Sequence, residues 1–511
     1  MDPRRQPDCH GITRRSFLAD TGMGFTGLAL GAMLFRDGAR ADPASSAWQP
    51  PTGAPHFTPR AKSVIWIFLC GGVSHVESFD VKPELTKYAG KSISETPYAG
   101  VLSTEGKDVI GANPAHGNRK VIMPLQTGYK AYGESGLVVG DWFKNIGGCA
   151  DDLAVVRSLW TIHNDHGAQL TWQTGRHPRE LEHPTLGAWM AYGLGTLNEN
   201  LPEYVVLGVP TGDCCGGAFT YGAAYLGPEN GGVRLGTDPK NPLPFIRPPD
   251  GALTPEEQTA NLSLLGKLNR LAGIDYPDDQ NLRARIKSYE LAFQMQTSIP
   301  ETMQLDREPE HIRRMYGLDQ DATKAFGDQA LLAEGLRGLD QDATKAFGEQ
   351  CLVARRLVER GVRFVQLFHG GGGGGAWDAH GDIKNNHTSL SAQVDQPVAG
   401  LLKDLKQRGL LDDTLVVFGT EFGRSPGAEG TGRDHHPQAF SAWMAGGGIK
   451  GGVQYGSTDE LGFHAADDRR YVTDIHATVL HQLGLDPRRL EVPGRKRLDV
   501  DHGNVIRGIL A

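Results

Sequence analysis

Several features are missing or scarce in this chain, and each absence excludes a class of protein. Beyond position 41, no window holds the ~18 or more uninterrupted apolar residues that a membrane-spanning helix needs. Basic residues are not in excess. The formal net charge is −8, which gives no support to a nucleic-acid-binding surface, because phosphate binding requires a basic face. The six cysteines lack the spacing of a disulfide framework, and the adjacent Cys214 and Cys215 are not expected to pair with each other.

Glycine, in contrast, is abundant, with 68 residues beside 30 prolines. Such a composition predicts long loops and turns, where binding and catalytic sites are often built. Six consecutive glycines occupy positions 370–375, but no Lys-Ser or Lys-Thr pair follows them. They therefore do not form a phosphate-binding P-loop, and we interpret them as a floppy connection.

The N-terminal segment has the parts of an export signal in order. Thr13-Arg14-Arg15-Ser16-Phe17-Leu18 matches the twin-arginine signature, a mildly apolar stretch follows, and Ala39-Arg40-Ala41 offers a cleavage site. We predict that residues 1–41 are a twin-arginine signal peptide and that 42–60 are a linker. The protein would then be exported to the periplasm by the twin-arginine machinery, which carries folded proteins and so allows a metal to be loaded before export.

Residues 61–511 are predicted to form one α/β domain. Apolar runs typical of buried strands lie at 63–70, 153–159, 204–209, 362–369 and 414–420. Helical patterns lie between or after them, at 166–175, 186–194, 282–297, 350–360 and 388–408. This alternation favours a doubly wound, mostly parallel sheet. Residues 227–350 are predicted to be a loop and helical insertion, and they include a duplicated segment, 317–329 and 338–350, with a period of 21.

Histidines and carboxylates cluster after four of the five predicted strands. The candidate metal ligands are His75, Glu77, His166, Asp378, His380, Glu421, His435 and His436. In a doubly wound sheet, ligands bind beyond the carboxyl ends of the strands, and imidazole and carboxylate groups suit divalent metals. Because His435 and His436 are adjacent, we expect one to be a ligand and the other to support it or to face the substrate.

Structural roles remain open for several of these residues. Asp378 and His380 could form a hydrogen-bonded structural pair instead of binding metal. Glu421 follows a buried strand, where a carboxylate must be paired or metal-bound, and a salt bridge with Arg424 is the alternative. Asp165 could be a helix N-cap, or it could bind metal or position the attacking water.

The order of the motifs resembles a known family. SVIWIFLCGGVSHVESFD, QTGRHP, WDAHGD, TLVVFGTEFGRSP, GRDHHP and VTDIHATVLHQLGLDP together resemble domain-of-unknown-function family 1501, over about residues 60–500. That family is placed in the alkaline phosphatase and sulfatase superfamily. The resemblance implies an alkaline-phosphatase-like fold and a metal-dependent hydrolase of phosphate or sulfate esters.

Departures from the superfamily pattern modify this expectation. Asp165 stands where sulfatases have their nucleophile, Phe422 stands at a histidine position, and the first strand ends in Cys70 where an aspartate is usual. With no serine or cysteine nucleophile, attack by metal-bound hydroxide is favoured, with Asp165, His166 and Glu421 as catalytic residues.

The predicted cofactor is a pair of divalent ions, zinc or manganese. One ion would bind Asp378, His380 and either His435 or His436. The other would bind His75, Glu77, His166 and Glu421. Arg176 would clamp an anionic substrate group, or it is a solvated surface residue. The substrate would be a small-molecule or polysaccharide ester. A different function is also open: a non-catalytic, metal-containing protein that binds a polysaccharide or a protein partner.

Overall fold

A computed structural model describes most of the chain. The described residues are 51–104, 119–180, 182–237, 298–319, 339–495 and 499–511, with isolated positions between them. The predicted signal peptide, residues 42–50 of the linker, the predicted helix 282–297 except for isolated positions, and most of the first repeat copy lie outside the described residues.

A central sheet organises the described residues. Its strands run in the order β12-β4-β11-β8-β1-β7-β5-β6, and β15 also pairs with β4. The strands of this sheet are β1 Ser63–Leu69, β4 Leu153–Trp160, β5 Tyr204–Leu207, β6 Val233–Leu235, β7 Phe364–His369, β8 Thr414–Thr420, β11 Phe440–Ala445, β12 Val453–Tyr455 and β15 Arg470–Tyr471. All these pairings are parallel except those of β11, which is antiparallel to both β4 and β8. The predicted mixed α/β fold with a mostly parallel sheet is confirmed.

Two hydrophobic cores lie on the two faces of this sheet. Along β1, Ile65 and Ile67 pack into one core, while Val64 and Trp66 pack into the other. This alternation follows from the two-residue period of a strand. Because both faces are covered, every residue of β1 is buried, which explains why the sequence shows a continuous apolar run instead of an alternating one.

Helices cover both faces of the sheet. They are α1 Glu84–Lys87, α2 Lys144–Gly147, α3 Ala168–Thr174, α4 Leu186–Leu194, α5 Glu310–Met315, α6 Leu339–Glu359, α7 Ile383–Gln407, α8 Val472–Gln482 and α9 Asp499–His502. Helices α6 and α7 contribute to the first core, and α4 and α8 to the second. The second repeat copy lies almost wholly within α6, which leads into β7. Among the described residues, every helix is too short or too polar to cross a membrane.

Three antiparallel strand pairs lie outside the central sheet. They are β2 Tyr129–Tyr132 with β3 Leu137–Gly140, β9 Gly423–Glu429 with β10 Gly432–His436, and β13 Ser457–Thr458 with β14 Ala465–Asp467. The β9–β10 hairpin is rich in glycine, and none of the strands predicted from the sequence covers it. Several side chains of the candidate site described below belong to this hairpin.

Four glycines of the six-glycine segment are closely packed, which disagrees with the expectation of a floppy connection, whereas Gly372 and Gly373 face open space. A Cβ atom on Gly371 would lie 1.8 Å from the carbonyl oxygen of Val209, and one on Gly374 would lie 2.8 Å from the ring of His166. Gly375 has a φ of +109° and lies against the backbone of Cys70. Side chains at these positions would collide with neighbouring atoms, so the glycines allow the segment to pass close to the strand ends.

Candidate metal centre

Parallel strands bring several predicted residues to one edge of the sheet. Strands β8, β1 and β7 are neighbours, and their carboxyl ends lead to Glu421, Cys70 and the segment containing Asp378. His166 follows β4 and lies just before α3. We call the following side chains the Asp378 cluster: His166, Asp378, His380, Glu421, Glu429, Asp434 and His435. Its members come from the three connections that follow β4, β7 and β8, as expected for a site beyond the strand ends.

Three donor atoms in the Asp378 cluster form a nearly equilateral triangle. Nε2 of His380 lies 3.0 Å from Nε2 of His435, and Oδ1 of Asp378 lies 3.1 Å from each of them. Two donors bound to one zinc ion at ~2.1 Å in tetrahedral geometry are ~3.4 Å apart. The observed triangle is therefore close to the spacing that a single divalent ion requires.

Hydrogen bonds orient the two imidazole rings of the triangle. Nδ1 of His435 lies 2.8 Å from the carbonyl oxygen of Asn164, and Nδ1 of His380 contacts a carboxylate oxygen of Glu429. Each acceptor favours the tautomer with its proton on Nδ1, which turns the lone pair of Nε2 toward the triangle. Metal-binding histidines commonly have this arrangement.

His166 lies between two carboxylates beside the triangle. Its Nδ1 is 3.2 Å from Oε1 of Glu421. Its buried Nε2 is 3.0 Å from Oδ2 of Asp378, but the angle does not suit a hydrogen bond. This nitrogen has no hydrogen-bond partner among the described residues. Burial opposes the charged imidazolium, but Asp378 and Glu421 outweigh it and raise the pKa of His166 to about 9. When no metal is bound, a proton on His166 thus partly balances the carboxylates.

The carboxylates of the cluster are held by backbone and arginine donors. Gly71 N–H donates to Glu421, at 2.8 Å from Oε1. The buried Arg424 donates to Oδ1 of Asp378 at 2.8 Å and to backbone carbonyls, so the alternative salt bridge between Arg424 and Glu421 is not among its contacts. Burial would raise the pKa of Asp378, but its histidine partners and Arg424 hold that pKa far below its usual value. Asp378 is therefore ionised and available as a ligand.

The cluster provides two overlapping groups of donors. His166, Asp378 and His435 form one, and His380, Asp434 and His435 form the other; within each group the donor atoms lie within 4.8 Å of one another. Both groups use His435, whose Nδ1 is engaged by Asn164. Because one Nε2 atom must serve both groups, they fit one ion better than two.

Three predicted ligands lie in a separate cluster, which we call the His75 cluster: His75, Glu77, Arg433 and His436. Glu77 and Arg433 form a fully buried ion pair, with Nη2 to Oε1 at 2.7 Å. The rings of His75 and His436 are stacked, with centroids 6.2 Å apart. Their Nε2 atoms face the carbonyl oxygens of Gly462 and Phe463. The structure does not bring these side chains into the Asp378 cluster.

Burial keeps both histidines of the His75 cluster neutral. Desolvation, the largest influence in each case, lowers the pKa of His75 and of His436 to about 3. The Nδ1 atom of each ring is buried without a hydrogen-bond partner among the described residues. That of His75 faces Gly423, where a Cβ atom would lie 2.3 Å away. Packing against the hairpin thus occupies the space beside this nitrogen.

Asp165 and Arg176 lie on either side of α3. Oδ1 of Asp165 accepts a hydrogen bond from Gly167 N–H at 2.9 Å and lies 2.8 Å from Nδ1 of His163. The hydrogen bond from His163 is the main reason that the pKa of Asp165 is lowered to about 2. Arg176 pairs with Glu180 and Asp501.

A cavity of about 200 Å³ lies beside Arg176 and is not lined by the Asp378 cluster. Trp189 and Arg497 also line it. Arg176 is therefore neither a solvated surface residue nor in contact with the triangle.

Sequence reasoning missed Glu429 and the orienting role of Asn164, and Asp434 was not among its predicted metal ligands. Glu429 links His380 to Arg119, which also lies 3.3 Å from Asp434. The signal that could have identified Glu429 is its place in a short hairpin. A turn at 430–431 brings Glu429 opposite Gly432, close to the histidines that follow.

Among solved structures, the chain is similar to Ps i-CgsB in complex with k-i-k-neocarrahexaose, at 11% identity and a TM-score of 0.35 over 88% of this chain and 75% of that chain. It is also similar to the PsFucS1 sulfatase from Pseudoalteromonas sp., at 12% identity and a TM-score of 0.32 over 88% and 72%. A third similar structure is that of a TAB5 alkaline phosphatase mutant with Mg bound, at 9% identity and a TM-score of 0.32 over 84% of this chain and 99% of that chain. Likeness at this level says nothing about activity.

No curated protein matched the chain. A sequence profile, in contrast, matched nearly all of the predicted domain, from residue 61 to residue 510. The motifs quoted above lie within that range. The chain therefore belongs to the family described as a protein of unknown function (DUF1501).

Proposed function

We propose that this protein is an exported, metal-dependent hydrolase of phosphate or sulfate esters. The observation that carries the proposal is the triangle of His380, His435 and Asp378, in which three potential ligands converge within 3.1 Å. The side chains of Asp378 and His380 are 27% and 32% exposed, so a substrate in solvent can reach them. Residues 13–18 support export through their match to the twin-arginine signature.

The residues of the Asp378 cluster have separate roles in this proposal. His380, His435 and Asp378 would hold a zinc or manganese ion, with His166 or Asp434 as a further ligand. A bound divalent ion would lower the pKa of a water molecule and stabilise charge on the ester oxygens. Glu429 orients His380, and Asn164 orients His435. A second ion remains a prediction that would need ligands outside these two groups.

Glu421 and Asp165 would act beside the triangle. Glu421 is fixed by Gly71 and holds His166 in place. Asp165 is 46% exposed at its side chain. A carboxylate with a pKa of about 2 is a weak base, so Asp165 would orient the attacking water without taking its proton.

One observation favours the non-catalytic alternative. The buried ring of Phe422 lies against the cluster, with centroids 4.5 Å from His435 and 5.6 Å from His166. An aromatic ring here occupies space that a polar substrate-binding group could use. In a binding protein, the metal would serve to hold the strand ends together while surrounding loops contact a polysaccharide or a protein.

Metal content and ester hydrolysis together test the proposal. Protein purified without a metal-affinity tag is supplied with ZnCl2 or MnCl2, desalted, and analysed by elemental mass spectrometry. Its hydrolysis of p-nitrophenyl phosphate and p-nitrophenyl sulfate is then measured. We expect about one bound ion per chain and cleavage of one ester, both lost in His435→Ala.

His311→Ala is the matched control, because His311 is an exposed residue on α5, outside the Asp378 cluster. It should keep both metal and activity. A bound ion without hydrolysis of either ester class would favour the binding protein. Retention of the ion by His435→Ala would contradict the assigned ligands.

A further inference from the structure

Two adjacent cysteines lie close together in the turn that follows β5. The Sγ atoms of Cys214 and Cys215 are 2.9 Å apart and belong to free thiols. Cys214 is exposed, whereas Cys215 is only 4% exposed. The turn thus presents one thiol to solvent and keeps a second one directly behind it.

The two sulfur atoms are close enough for a bond to form after a small movement, although the sequence led us to expect no pairing between these cysteines. A disulfide bond is ~2.05 Å long, so the two atoms need to approach by less than ~1 Å. Adjacent Cα atoms are ~3.8 Å apart, which is below the usual range of ~4.4–6.8 Å for disulfides. A disulfide between these adjacent residues would close a small, strained ring, and strained disulfides are the ones that are readily reduced. Gly216 and Gly217 follow directly, with φ values of +110° and +46°, and give the backbone freedom to adjust.

We propose that Cys214 and Cys215 form a thiol–disulfide exchange site that reacts with a low-molecular-weight disulfide. The thiolate of Cys214 attacks one sulfur of that disulfide, the S–S bond breaks, and the departing thiolate takes up a proton from water. The thiol of Cys215 then loses its proton and attacks the sulfur of Cys214, releasing the second small thiol. The two cysteines are oxidised by two electrons, and one small disulfide is reduced to two thiols.

The neighbourhood of the pair sets it apart from the other described cysteines. Cys70, Cys149 and Cys351 are all buried, so a small disulfide in solvent does not reach them. Sγ of Cys214 lies 3.6 Å from the carbonyl oxygen of Gly373, and the next residue, Gly374, packs against His166. The exchange site therefore lies at the rim of the Asp378 cluster, although its chemistry requires neither a metal nor the proposed hydrolysis.

Reaction with glutathione disulfide tests this assignment. The full chain, carrying Cys9→Ser so that the readout is confined to the remaining cysteines, is reduced, freed of reductant and incubated with glutathione disulfide. The reaction is stopped with acid. Remaining thiols are alkylated in denaturant, and the intact mass is measured. We expect two fewer alkylated cysteines than in the reduced protein, with no glutathione retained, and a peptide containing the Cys214–Cys215 disulfide.

Single variants separate the two steps. Cys215→Ser should retain one glutathione on Cys214, because the resolving thiol is missing, whereas Cys214→Ser should retain none. Cys149→Ser, which removes a buried thiol elsewhere, should behave like the parent protein. Glutathione stably retained by the parent, or a parent that keeps all its thiols, would overturn the proposal. Neither result depends on whether the protein binds metal or hydrolyses esters.

Discussion

The two faces of strand β10 show what distinguishes a candidate metal site from a structural cluster. Asp434 and His435 belong to the Asp378 cluster, while Arg433 and His436 belong to the His75 cluster. Consecutive strand residues point to opposite faces. The register of the hairpin shifts between Arg433 and His435. An irregularity of this kind re-aims side chains and lets two consecutive residues serve the Asp378 cluster. The same short sequence thus supplies histidines to two different environments.

Charge balance differs between these environments. In and beside the Asp378 cluster there are four carboxylates and two guanidinium groups, from Asp378, Glu421, Glu429, Asp434, Arg119 and Arg424. Two negative charges remain to be balanced, by protons on histidine or by a divalent ion. In the His75 cluster, Glu77 and Arg433 balance each other. The first cluster therefore depends on protonated histidines or a divalent ion for its balance, whereas an arginine balances the carboxylate in the second.

The largest expected effect comes from breaking the charge balance of the His75 cluster. Glu77→Gln leaves the fully buried Arg433 without its counter-charge, so we expect the free energy of unfolding to fall by about 3–5 kcal/mol. Urea denaturation followed by circular dichroism measures this change. Glu84→Gln is the control. It alters an exposed pair with Lys87 and should have no measurable effect. An equally stable Glu77→Gln protein would contradict the structural role of this pair.

Removing a proposed ligand from the Asp378 cluster should weaken metal binding strongly and change stability little. His380→Ala is expected to lower the affinity for zinc by about 100-fold or more, since changes to groups that only support a ligand already cost about 10–100-fold. The unfolding free energy in the presence of chelator should change by less than about 1 kcal/mol, because His380 is partly exposed. Competition with a fluorescent chelator measures the affinity. The parallel measurement on His311→Ala should match the parent, and unaltered zinc affinity in His380→Ala would remove this residue from the ligand set.

A smaller change is expected for the residue that orients His380. Glu429→Gln keeps an oxygen acceptor for Nδ1 but removes its charge, so we expect zinc affinity to fall by about 10–100-fold, or about 1.4–2.7 kcal/mol. The same competition assay applies. Glu460→Gln, an exposed carboxylate outside both clusters, provides the control. A loss as large as that of His380→Ala would indicate that Glu429 binds the ion directly.

The sequence predicted the sheet better than the site, for a physical reason. Buried parallel strands such as 63–70 and 414–420 leave a continuous apolar signal, and β1 and β8 lie within these ranges. The β9–β10 hairpin leaves no such signal, because its glycine-rich sequence resembles that of a turn. The close backbone contacts that these glycines allow cannot be seen in the composition. Without its register, the sequence cannot separate His435 from His436 or place Glu429 beside His380.

The buried counter-ion of Glu77 was equally invisible in the sequence. Arg433 lies 356 residues from Glu77 along the chain, and nothing in either segment indicates that the two meet. A carboxylate after a strand is expected both for a metal ligand and for one half of a buried ion pair. Only the fold shows which partner is present, so residue type and strand position together identify candidate ligands without assigning them.

The smallest expected effect concerns a histidine that the sequence predicted as a metal ligand. His75→Gln can keep an N–H donor to the carbonyl oxygen of Gly462, which lies 2.9 Å from Nε2 of His75, so we expect the unfolding free energy to fall by no more than about 1 kcal/mol. Zinc content and zinc affinity should match those of the parent protein, measured as for His380→Ala. A parent protein with two zinc ions and a His75→Gln variant with one would show that His75 binds a second ion. The Asp378 cluster and the His75 cluster would then be parts of one two-metal centre. The ion pair of Glu77 and Arg433 would no longer explain why the two clusters differ.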